Sequence, residues 1–251
     1  MSDWDDLSNR PIEFGHDIFF CDPMGREPPP QLEILGKTYI RFMDFIYLPR
    51  EPEELSEEQV VAVNEIRQRY MDILAERAIN LHVRDLVLRL VQYVAPNSVL
   101  ELGAGYNPIF GHPPEGMNYW IADLNEKAIE AVRKEGLEGF VFKSDGILPL
   151  DPGTVDLMVA IFVLQFRFSV AQIATLAQVL TNDGVMVANV YRRSEESRDK
   201  LLRLFAFTGF EALILEDPSK LCRGHEYWCL YRDRSSPLLV RVSEFFEENL
   251  K

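Results

Sequence analysis

From Ser98 onward the sequence alternates between short apolar runs and segments with helical periodicity, and this alternation restricts the possible folds more than any other feature. The first run, Ser98–Leu102, ends in a glycine loop. The second, Tyr119–Ala122, leads into a helix whose predicted cap is Asn125 and whose predicted stop is Gly136. Strands that alternate with helices at this spacing imply right-handed crossovers and a parallel sheet. The other predicted strands are Gly139–Phe142, Val155–Val163, Val185–Tyr191, Phe210–Leu215 and Glu226–Tyr231, and the other predicted helices are Ser169 to about Leu180 and Glu196–Phe207.

The last two predicted strands depart from this alternation. Residues 216–225 separate Leu215 from Glu226 and show no helical periodicity, which favours an antiparallel hairpin. We therefore predict an α/β fold: a Rossmann-like, doubly wound, seven-stranded sheet with an antiparallel last strand, plus an N-terminal α+β cap. The expected division is a cap and substrate-recognition region over residues 1–95, a ligand-binding sheet domain over 96–236 and a C-terminal helical tail over 237–251.

The N-terminal region has a different pattern. Two extended pieces, Ile12–Cys21 and Leu32–Leu48, are separated by Gly25 and a proline triplet, and the second predicts one or two short strands. Ser56 and Gln59 form a capping-box signature at the start of a helix. The aromatic residues of the region are interpreted as core packing, with the lining of a substrate pocket as the alternative. These aromatic residues are Phe19, Phe20, Tyr39, Phe42, Phe45 and Tyr47. Apolar residues at helical spacing predict two helices in this region. The residues are Val63, Ile66, Tyr70, Ile73 and Leu74 in the first helix and Val83, Leu86, Val87, Leu90, Val91 and Val94 in the second.

The charge balance excludes several classes of partner. The chain has 26 Lys and Arg against 40 Asp and Glu, a net charge of −14. Affinity for nucleic acid or for an anionic membrane depends on basic residues, so both partners are disfavoured. Residues 1–58 hold 14 acids and 5 bases. This excess is interpreted as a solubility-promoting surface, or alternatively as an acidic rim that disfavours anionic substrates.

Cysteine content and apolar runs indicate the compartment. Three cysteines without a C-x-x-C pair do not make a disulfide framework. The first residues lack the basic and apolar regions of a signal peptide, and the longest apolar run, Leu157–Leu164, is far shorter than the ~20 residues of a membrane span. We expect a cytoplasmic protein with no membrane segment.

The glycine loop, Gly103-Ala104-Gly105, lies where a doubly wound sheet binds a nucleotide-like ligand. A dinucleotide requires a third glycine and free backbone N–H groups for its pyrophosphate. Pro108 occupies that position, and Glu101 would place a carboxylate beside the phosphates. S-adenosylmethionine has no phosphate and carries a sulfonium and an ammonium group, so an acidic strand end favours it.

Two further acidic residues follow the next two strands. Asp123 comes 20 residues after the first glycine of the loop, where a carboxylate can accept both ribose hydroxyls, although helix capping is the alternative for this residue alone. Asp145 is placed to accept from the adenine amino group, and Leu124 and Ile147 to flank the adenine ring. The end of the fourth strand, Ala160–Phe162, would lie at the methionine end.

These motifs give residues 98–232 a resemblance to class I S-adenosylmethionine-dependent methyltransferases. The loop resembles the family's E/D-x-G-x-G motif, while Asn107 stands where many members have a third glycine. Val155–Gln165 resembles the family's fourth motif, and the final hairpin fits its seven-stranded sheet. The resemblance implies S-adenosylmethionine as cofactor and assigns its binding to Glu101, Gly103, Ala104, Gly105, Asp123, Leu124, Asp145, Gly146, Ala160 and Phe162.

The sequence does not identify a catalytic residue. Methyl transfer requires alignment of the acceptor and exclusion of water, and a base only where the acceptor must lose a proton early. His16 and His225 are interpreted as surface or hydrogen-bonded residues, and Gln165 as a strand cap. Cys222, His225 and Cys229 are too weakly patterned for zinc, even with His16 or Cys21 as a fourth ligand, so no metal is predicted.

The expected function is methyl transfer from S-adenosylmethionine to a small-molecule or peptide acceptor, with no oligomeric state predicted. One alternative is an RNA methyltransferase, because Gly105-Tyr106-Asn107-Pro108 resembles a loop of ribosomal-RNA methyltransferases that confer aminoglycoside resistance. A second is a non-catalytic S-adenosylmethionine-binding or partner-docking protein. A nicotinamide-dependent oxidoreductase is the third.

Overall fold

The computed structural model describes residues 11–21, 28–43, 45–70 and 77–250. The chain forms two compact units, Met1–Asn80 and Leu81–Lys251, which divide inside the second helix (α2, Arg77–Val94) and not after it at residue 95 as expected. The later half of α2 belongs with the second unit because Tyr93 packs on Phe245, with ring centroids 5.6 Å apart, and Arg89 donates a 2.7 Å hydrogen bond to Asn249.

The first unit contains a five-stranded antiparallel sheet with the order β1-β2-β5-β4-β3. The predicted piece Leu32–Leu48 holds three strands instead of one or two, because Leu35 and Gly36 adopt positive φ and close a two-residue hairpin between Ile34 and Lys37. The elements are β1 (Ile12–Gly15), β2 (Ile18–Phe20), β3 (Gln31–Ile34), β4 (Lys37–Met43), β5 (Ile46–Leu48), a 3-10 turn (Pro52–Glu54) and α1 (Glu57–Tyr70).

Aromatic side chains form the interior of this unit, as the core-packing interpretation predicted. Phe19, Tyr39 and Tyr47 belong to one buried cluster, and Phe20 stacks on Tyr70 with centroids 4.1 Å apart. The predicted capping box is present: the backbone N–H of Gln59 donates to the Ser56 hydroxyl, and the N–H of Ser56 to the Gln59 side chain. The expected helical positions Ile73 and Leu74, like Gly25, lie outside the described residues.

The second unit is built on a seven-stranded mixed sheet with the order β11-β12-β10-β9-β6-β7-β8. Strands β10, β9, β6, β7 and β8 run parallel, and β12 runs antiparallel to both β10 and β11. The strands are β6 (Ser98–Leu102), β7 (Asn118–Asp123), β8 (Glu138–Val141), β9 (Val155–Ala160), β10 (Leu180–Val190), β11 (Glu211–Glu216) and β12 (Glu226–Tyr231), and the helices after α2 are α3 (Glu126–Lys134), α4 (Val170–Val179), α5 (Glu195–Phe207) and α6 (Pro237–Asn249).

Three elements differ from the prediction. β9 ends at Ala160 and not at Val163, because Phe162 turns into a left-handed conformation with φ 56°. β10 continues through residues 182–184, where a turn was expected, and the irregularity appears as a register shift between Leu180 and Val185. The expected C-terminal tail is α6, which packs on β10 and β12 and buries Val242 and Phe246, so it belongs to the second unit.

Gly146 and Gly153 provide a matched test of how tightly the sheet domain packs. Both have positive φ, but a Cβ at Gly146 would lie 2.6 Å from the backbone carbon of Ala171, whereas one at Gly153 would meet nothing within 4 Å. We expect Gly153→Ala to lower the free energy of unfolding by about 1 kcal/mol through φ strain, and Gly146→Ala by about 1–3 kcal/mol more through the clash. Urea unfolding measures both; equal losses would contradict the packing.

Candidate active site

The glycine loop follows β6 at the carboxyl edge of the sheet. Gly103 and Gly105 have φ values of 68° and 58°, which favour glycine. A Cβ at Gly103 would lie 2.3 Å from Cγ2 of Val163, so the loop approaches the segment that follows β9. β6 lies between β9 and β7, and the chain runs outward from it in both directions. Such a switch point forms the ligand crevice of doubly wound sheets.

Asp123 ends β7 and fixes the loop from the other side. Its Oδ2 accepts a 2.8 Å hydrogen bond from the N–H of Gly105, and its Oδ1 accepts a 2.7 Å bond from the N–H of Asn125. The carboxylate is buried, and burial raises its pKa against the effect of these backbone donors. Asn125, as predicted, caps α3 by accepting from Lys127 and Ala128. Asp123 is therefore not the helix cap, and its oxygens keep further lone pairs for a ligand.

Glu101 is more enclosed than the sequence suggested. Its carboxylate is 1% exposed and accepts hydrogen bonds from the Tyr119 hydroxyl and from the N–H of Ile109 at 2.8 Å. Arg84 lies 4.0 Å from its other oxygen and also donates to the carbonyl of Asn107. Burial raises the pKa of Glu101, and Arg84 opposes that shift. These partners give Glu101 a role in holding the segment after the glycine loop.

The loop after β8 brings Asp145 and Gly146 to the same edge of the sheet, because parallel strands share their carboxyl edge. Asp145 is exposed and accepts a 3.1 Å bond from the N–H of Ile147, whose own side chain is 68% exposed. The carbonyl of Gly146 accepts from Thr175 at 2.7 Å, which secures the loop against α4. The chain thus presents an exposed carboxylate beside an exposed apolar side chain.

The end of β9 carries residues whose importance the sequence did not show. Ala160 is fully buried between its pairing partners on β6 and β10. Phe162 packs edge-on against Tyr191, with centroids 5.2 Å apart. Gln165 is fully buried, and neither its amide oxygen nor its nitrogen has a hydrogen-bond partner among the described residues. The strand-cap interpretation of Gln165 is therefore wrong, since a cap would use that amide.

His225 lies at the start of β12, on the sheet edge where β9 and β10 end. Its ring stacks on Tyr191 at 4.6 Å, and its Nδ1 is 3.3 Å from Nδ2 of Asn189, so the interpretation as a hydrogen-bonded residue is confirmed. Burial lowers the pKa of His225, and Asp217 opposes that shift. His225 is far from Asn189 and Tyr191 in the sequence, so no motif could predict this contact. The antiparallel pairing of β10 with β12 brings the three residues together.

A different set of polar residues forms the only group of potential metal ligands in the described part of the chain. The ligand atoms of His82, Asp217 and Cys222 lie within 4.8 Å of one another, and Cys229 is not among them. Asp217 Oδ2 accepts from the Tyr227 hydroxyl at 2.9 Å and lies 3.5 Å from His82 Nε2. Hydrogen bonding to one buried carboxylate thus accounts for the group, and the absence of a metal stays a prediction.

A cavity of about 300 Å³ lies elsewhere on the sheet domain. Its lining includes Asn118 at the start of β7 and Glu138 at the start of β8. These are the amino ends of parallel strands, opposite the edge that carries the glycine loop. The cavity therefore contributes nothing to the candidate site.

Comparison with known proteins supports the fold. No protein-family model and no curated protein matches the sequence. Among solved structures, CurJ carbon methyltransferase has a TM-score of 0.50 and 14% identity, over 70% of this chain and 61% of that one. The chain therefore has the fold of methyltransferases, as the resemblance predicted.

Two further structures are similar at lower TM-scores. A TehB-like SAM-dependent methyltransferase from Corynebacterium glutamicum is 17% identical over 63% of this chain and 96% of its own, with a TM-score of 0.48. A SAM-dependent methyltransferase from Thermotoga maritima, described as a possible histamine N-methyltransferase, is 14% identical over 67% and 99%, with a TM-score of 0.47.

Glu101→Gln tests the electrostatics of the site. Because burial raises the folded-state pKa of Glu101 above its unfolded value, the folded protein binds this proton more tightly. The associated stability is present in acid and is lost as pH rises through the folded pKa. We therefore expect the free energy of unfolding of the variant, relative to the original protein, to increase from mildly acidic to neutral pH, as measured by urea unfolding.

The exposed Glu135 provides the control for this substitution. Glu135→Gln makes the same chemical change at an exposed position and should alter the free energy of unfolding little. A difference between Glu101→Gln and the original protein that is constant with pH would show that the buried carboxyl has no raised pKa.

Proposed function

We propose that the sheet domain binds S-adenosylmethionine at the carboxyl edge of β6 and β7 and transfers its methyl group to a small-molecule or peptide acceptor. The observation that carries the proposal is the hydrogen bond between Gly105 and the buried Asp123, in a chain with a methyltransferase fold. This contact places a glycine turn and a carboxylate together at the switch point of the sheet. A nucleoside that carries a cationic chain needs both.

The chemistry of the residues present fits this ligand better than a dinucleotide. Glu101 and Asp123 are buried acids next to the loop, and Pro108 lacks the N–H that a pyrophosphate would use. Two carboxylates would repel phosphates in a site of low dielectric, and they would attract a sulfonium and an ammonium group. Arg84 offsets only part of that charge, since it is 4.0 Å from Glu101 and also bonds Asn107.

Each cofactor-binding residue has a proposed role. Asp123 accepts the ribose hydroxyls, and Asp145 accepts from the adenine amino group. Leu124 and Ile147 flank the adenine ring; the 68% exposure of Ile147 leaves its apolar surface open to a ring. The remaining assignments are the loop Gly103, Ala104 and Gly105 along the cofactor, Glu101 near its cationic end, Gly146 beside the adenine, and Ala160 and Phe162 at its methionine end.

Bound S-adenosylmethionine would supply an electrophilic methyl group that is already activated. The chain's own contribution is to align the acceptor and to exclude water, and a bound, aligned acceptor reacts far faster than one in solution. The buried surroundings of Ala160 and Phe162 provide a dry position for this step. Acceptor recognition by the N-terminal region, residues 1–95, is the further part of the proposal and is supported by its acidic excess.

The location and partners of the protein are proposed on compositional grounds. All three cysteines are buried thiols and not disulfides, which suits a reducing cytoplasm. In the described part of the chain, no helix has the length and apolar character needed to cross a bilayer. The net charge of −14 disfavours a nucleic-acid acceptor.

Calorimetric titration tests the cofactor. We expect S-adenosylmethionine and S-adenosylhomocysteine to bind and NAD not to bind. Asp123→Ala should weaken binding of S-adenosylmethionine by about 1–3 kcal/mol, because the ribose hydroxyls lose a buried charged acceptor. Asp151→Ala, which removes an exposed carboxylate of the same domain, is the control and should bind normally.

Two results would reject the proposal or its ribose assignment. Binding of NAD alone would reject methyl transfer. Unchanged affinity of Asp123→Ala would reject the role of Asp123. Salt-dependent binding of RNA would instead favour an RNA acceptor, and cofactor binding without turnover of any acceptor would favour a non-catalytic protein.

A further inference from the structure

Three aromatic rings form a cluster where β9 and β10 end and β12 begins. Phe162 packs edge-on against Tyr191 at 5.2 Å and against His225 at 6.0 Å, and Tyr191 stacks on His225 at 4.6 Å. The glycine loop borders the same place, because Gly103 approaches Val163, the residue after Phe162. The cluster therefore lies beside the position proposed for the methionine end of the cofactor.

The backbone around this cluster is held in a conformation that side chains rarely adopt. Phe162 has φ 56° and Arg192 has φ 54°, one after each of two neighbouring parallel strands. Left-handed conformations of bulky residues are strained and persist where the surroundings require them, commonly at functional sites. Arg193 contributes to that restraint, because its guanidinium donates to the carbonyls of Leu164 and Phe166.

Several buried amide atoms near the cluster have no hydrogen-bond partner among the described residues. Gln165 lies between the two residues whose carbonyls Arg193 binds, and both of its amide atoms are buried without a hydrogen bond among the described residues. Oδ1 of Asn189 is in the same state. Each such group destabilises the fold when it is left without a hydrogen bond. A bound molecule that both donates and accepts hydrogen bonds would recover that energy.

Apart from the exposed Arg192, whose guanidinium lies over the Tyr191 ring, the polar groups of this region are uncharged or already paired. Gln165 and Asn189 are amides. The guanidinium of Arg193 is committed to two carbonyls and to Ser197. Burial lowers the pKa of His225, so its imidazole is neutral at neutral pH. An uncharged ligand suits such a place, since an unpaired ion would lose its hydration without gaining a counter-charge.

We propose that this cluster is the acceptor site, that its acceptor is an uncharged aromatic hydroxyl compound, and that Nε2 of His225 removes the hydroxyl proton. The inference rests on the proposed function and specifies its substrate class. Rings fit between aromatic side chains, and the Gln165 amide, which has no hydrogen-bond partner among the described residues, supplies one for polar substituents. A neutral amine or a carboxylate already offers a lone pair and would need no base, whereas a phenol at neutral pH does.

Asn189 orients the base. A half-turn of its amide brings Oδ1, which has no partner, to Nδ1 of His225, 3.3 Å from the present amide nitrogen. Nδ1 then carries a proton that Oδ1 accepts, and Nε2 keeps the free lone pair. Fixing the tautomer through the other ring nitrogen is a general device of catalytic histidines.

The step conserves charge and electrons. The O–H bond breaks and its proton goes to Nε2 of His225, while the oxygen lone pair forms the new bond to the methyl carbon. The carbon–sulfur bond breaks with its electron pair on sulfur, so the sulfonium becomes a neutral thioether and the positive charge moves to imidazolium. Asp217 favours that cation, whereas Arg192 and His82 oppose it.

Two phenols of different acidity test the role of His225. p-Cresol has a pKa of about 10, like tyrosine, and needs a base; p-nitrophenol is a much stronger acid that is largely ionised in mildly alkaline buffer. We expect the protein to methylate both from S-adenosylmethionine labelled in its methyl group, p-nitrophenol with the higher KM, because a site of uncharged groups admits its anion less readily. His225→Gln should lower kcat for p-cresol by about 100-fold or more and change kcat for p-nitrophenol little.

Controls separate this inference from the proposed function. His112→Gln removes an exposed histidine and should leave both rates unchanged. Calorimetry should show that the original protein and His225→Gln bind S-adenosylmethionine with equal affinity. Thermal unfolding should show that both proteins are folded. Absence of cofactor binding would overturn the proposed function itself. Cofactor binding without methylation of either phenol would overturn only the acceptor class.

The pH profile of the original protein keeps the base assignment testable if His225→Gln does not fold. For p-cresol, kcat/KM should rise with pH through an ionisation below 6.5, the ordinary pKa of histidine. Asn189→Leu should move or flatten that rise, since it removes the group that orients the imidazole. A profile without this ionisation, or an equal loss with both phenols in His225→Gln, would overturn the role of His225 as the base.

Discussion

The candidate site depends on two buried carboxylates that hold the glycine loop between β6 and β7. Asp123 accepts the N–H of Gly105, and Glu101 accepts the N–H of Ile109 and the hydroxyl of Tyr119. Burying such charges is costly unless donors surround them, and here the backbone itself provides several of the donors. The hydrogen bonds that stabilise the two buried carboxylates therefore also fix the path of the loop. The conformation of the loop and the presence of acidic groups in the site thus depend on the same contacts.

This arrangement has a functional consequence at neighbouring strand ends. On one side of β6, the acids suit the cationic and ribose portions of the proposed cofactor. On the other side, beyond Gly103 and Val163, the ends of β9 and β10 carry Phe162, Tyr191 and His225, where the polar groups are neutral or paired. These surroundings suit the proposed cationic cofactor on one side and the proposed uncharged acceptor on the other. Phe162, in its left-handed conformation, belongs to both.

Much of the fold, and only part of the site, could be predicted from the sequence. The order of the strands and the helix cap at Asn125 follow from local patterns of apolar and polar residues, and the glycine loop at Gly103 follows from the turn that it must make. The partners of Glu101 could not be predicted, because Arg84, Ile109 and Tyr119 come from separate segments. The environment of Gln165 could not be predicted either, because one glutamine after an apolar run indicates neither burial nor an amide without hydrogen bonds.

The sequence by itself determined which residues follow the strands, and hence that Glu101, Asp123 and Asp145 belong to one edge, since parallel strands share their carboxyl ends. Only the tertiary structure decided what each of them does there. It buried Glu101 and Asp123 with partners and left Asp145 exposed. It also brought His225 to Asn189 across 36 residues of chain. The physical reason is that periodicity reports local conformation, whereas burial and hydrogen bonding depend on segments that meet only when the sheet assembles.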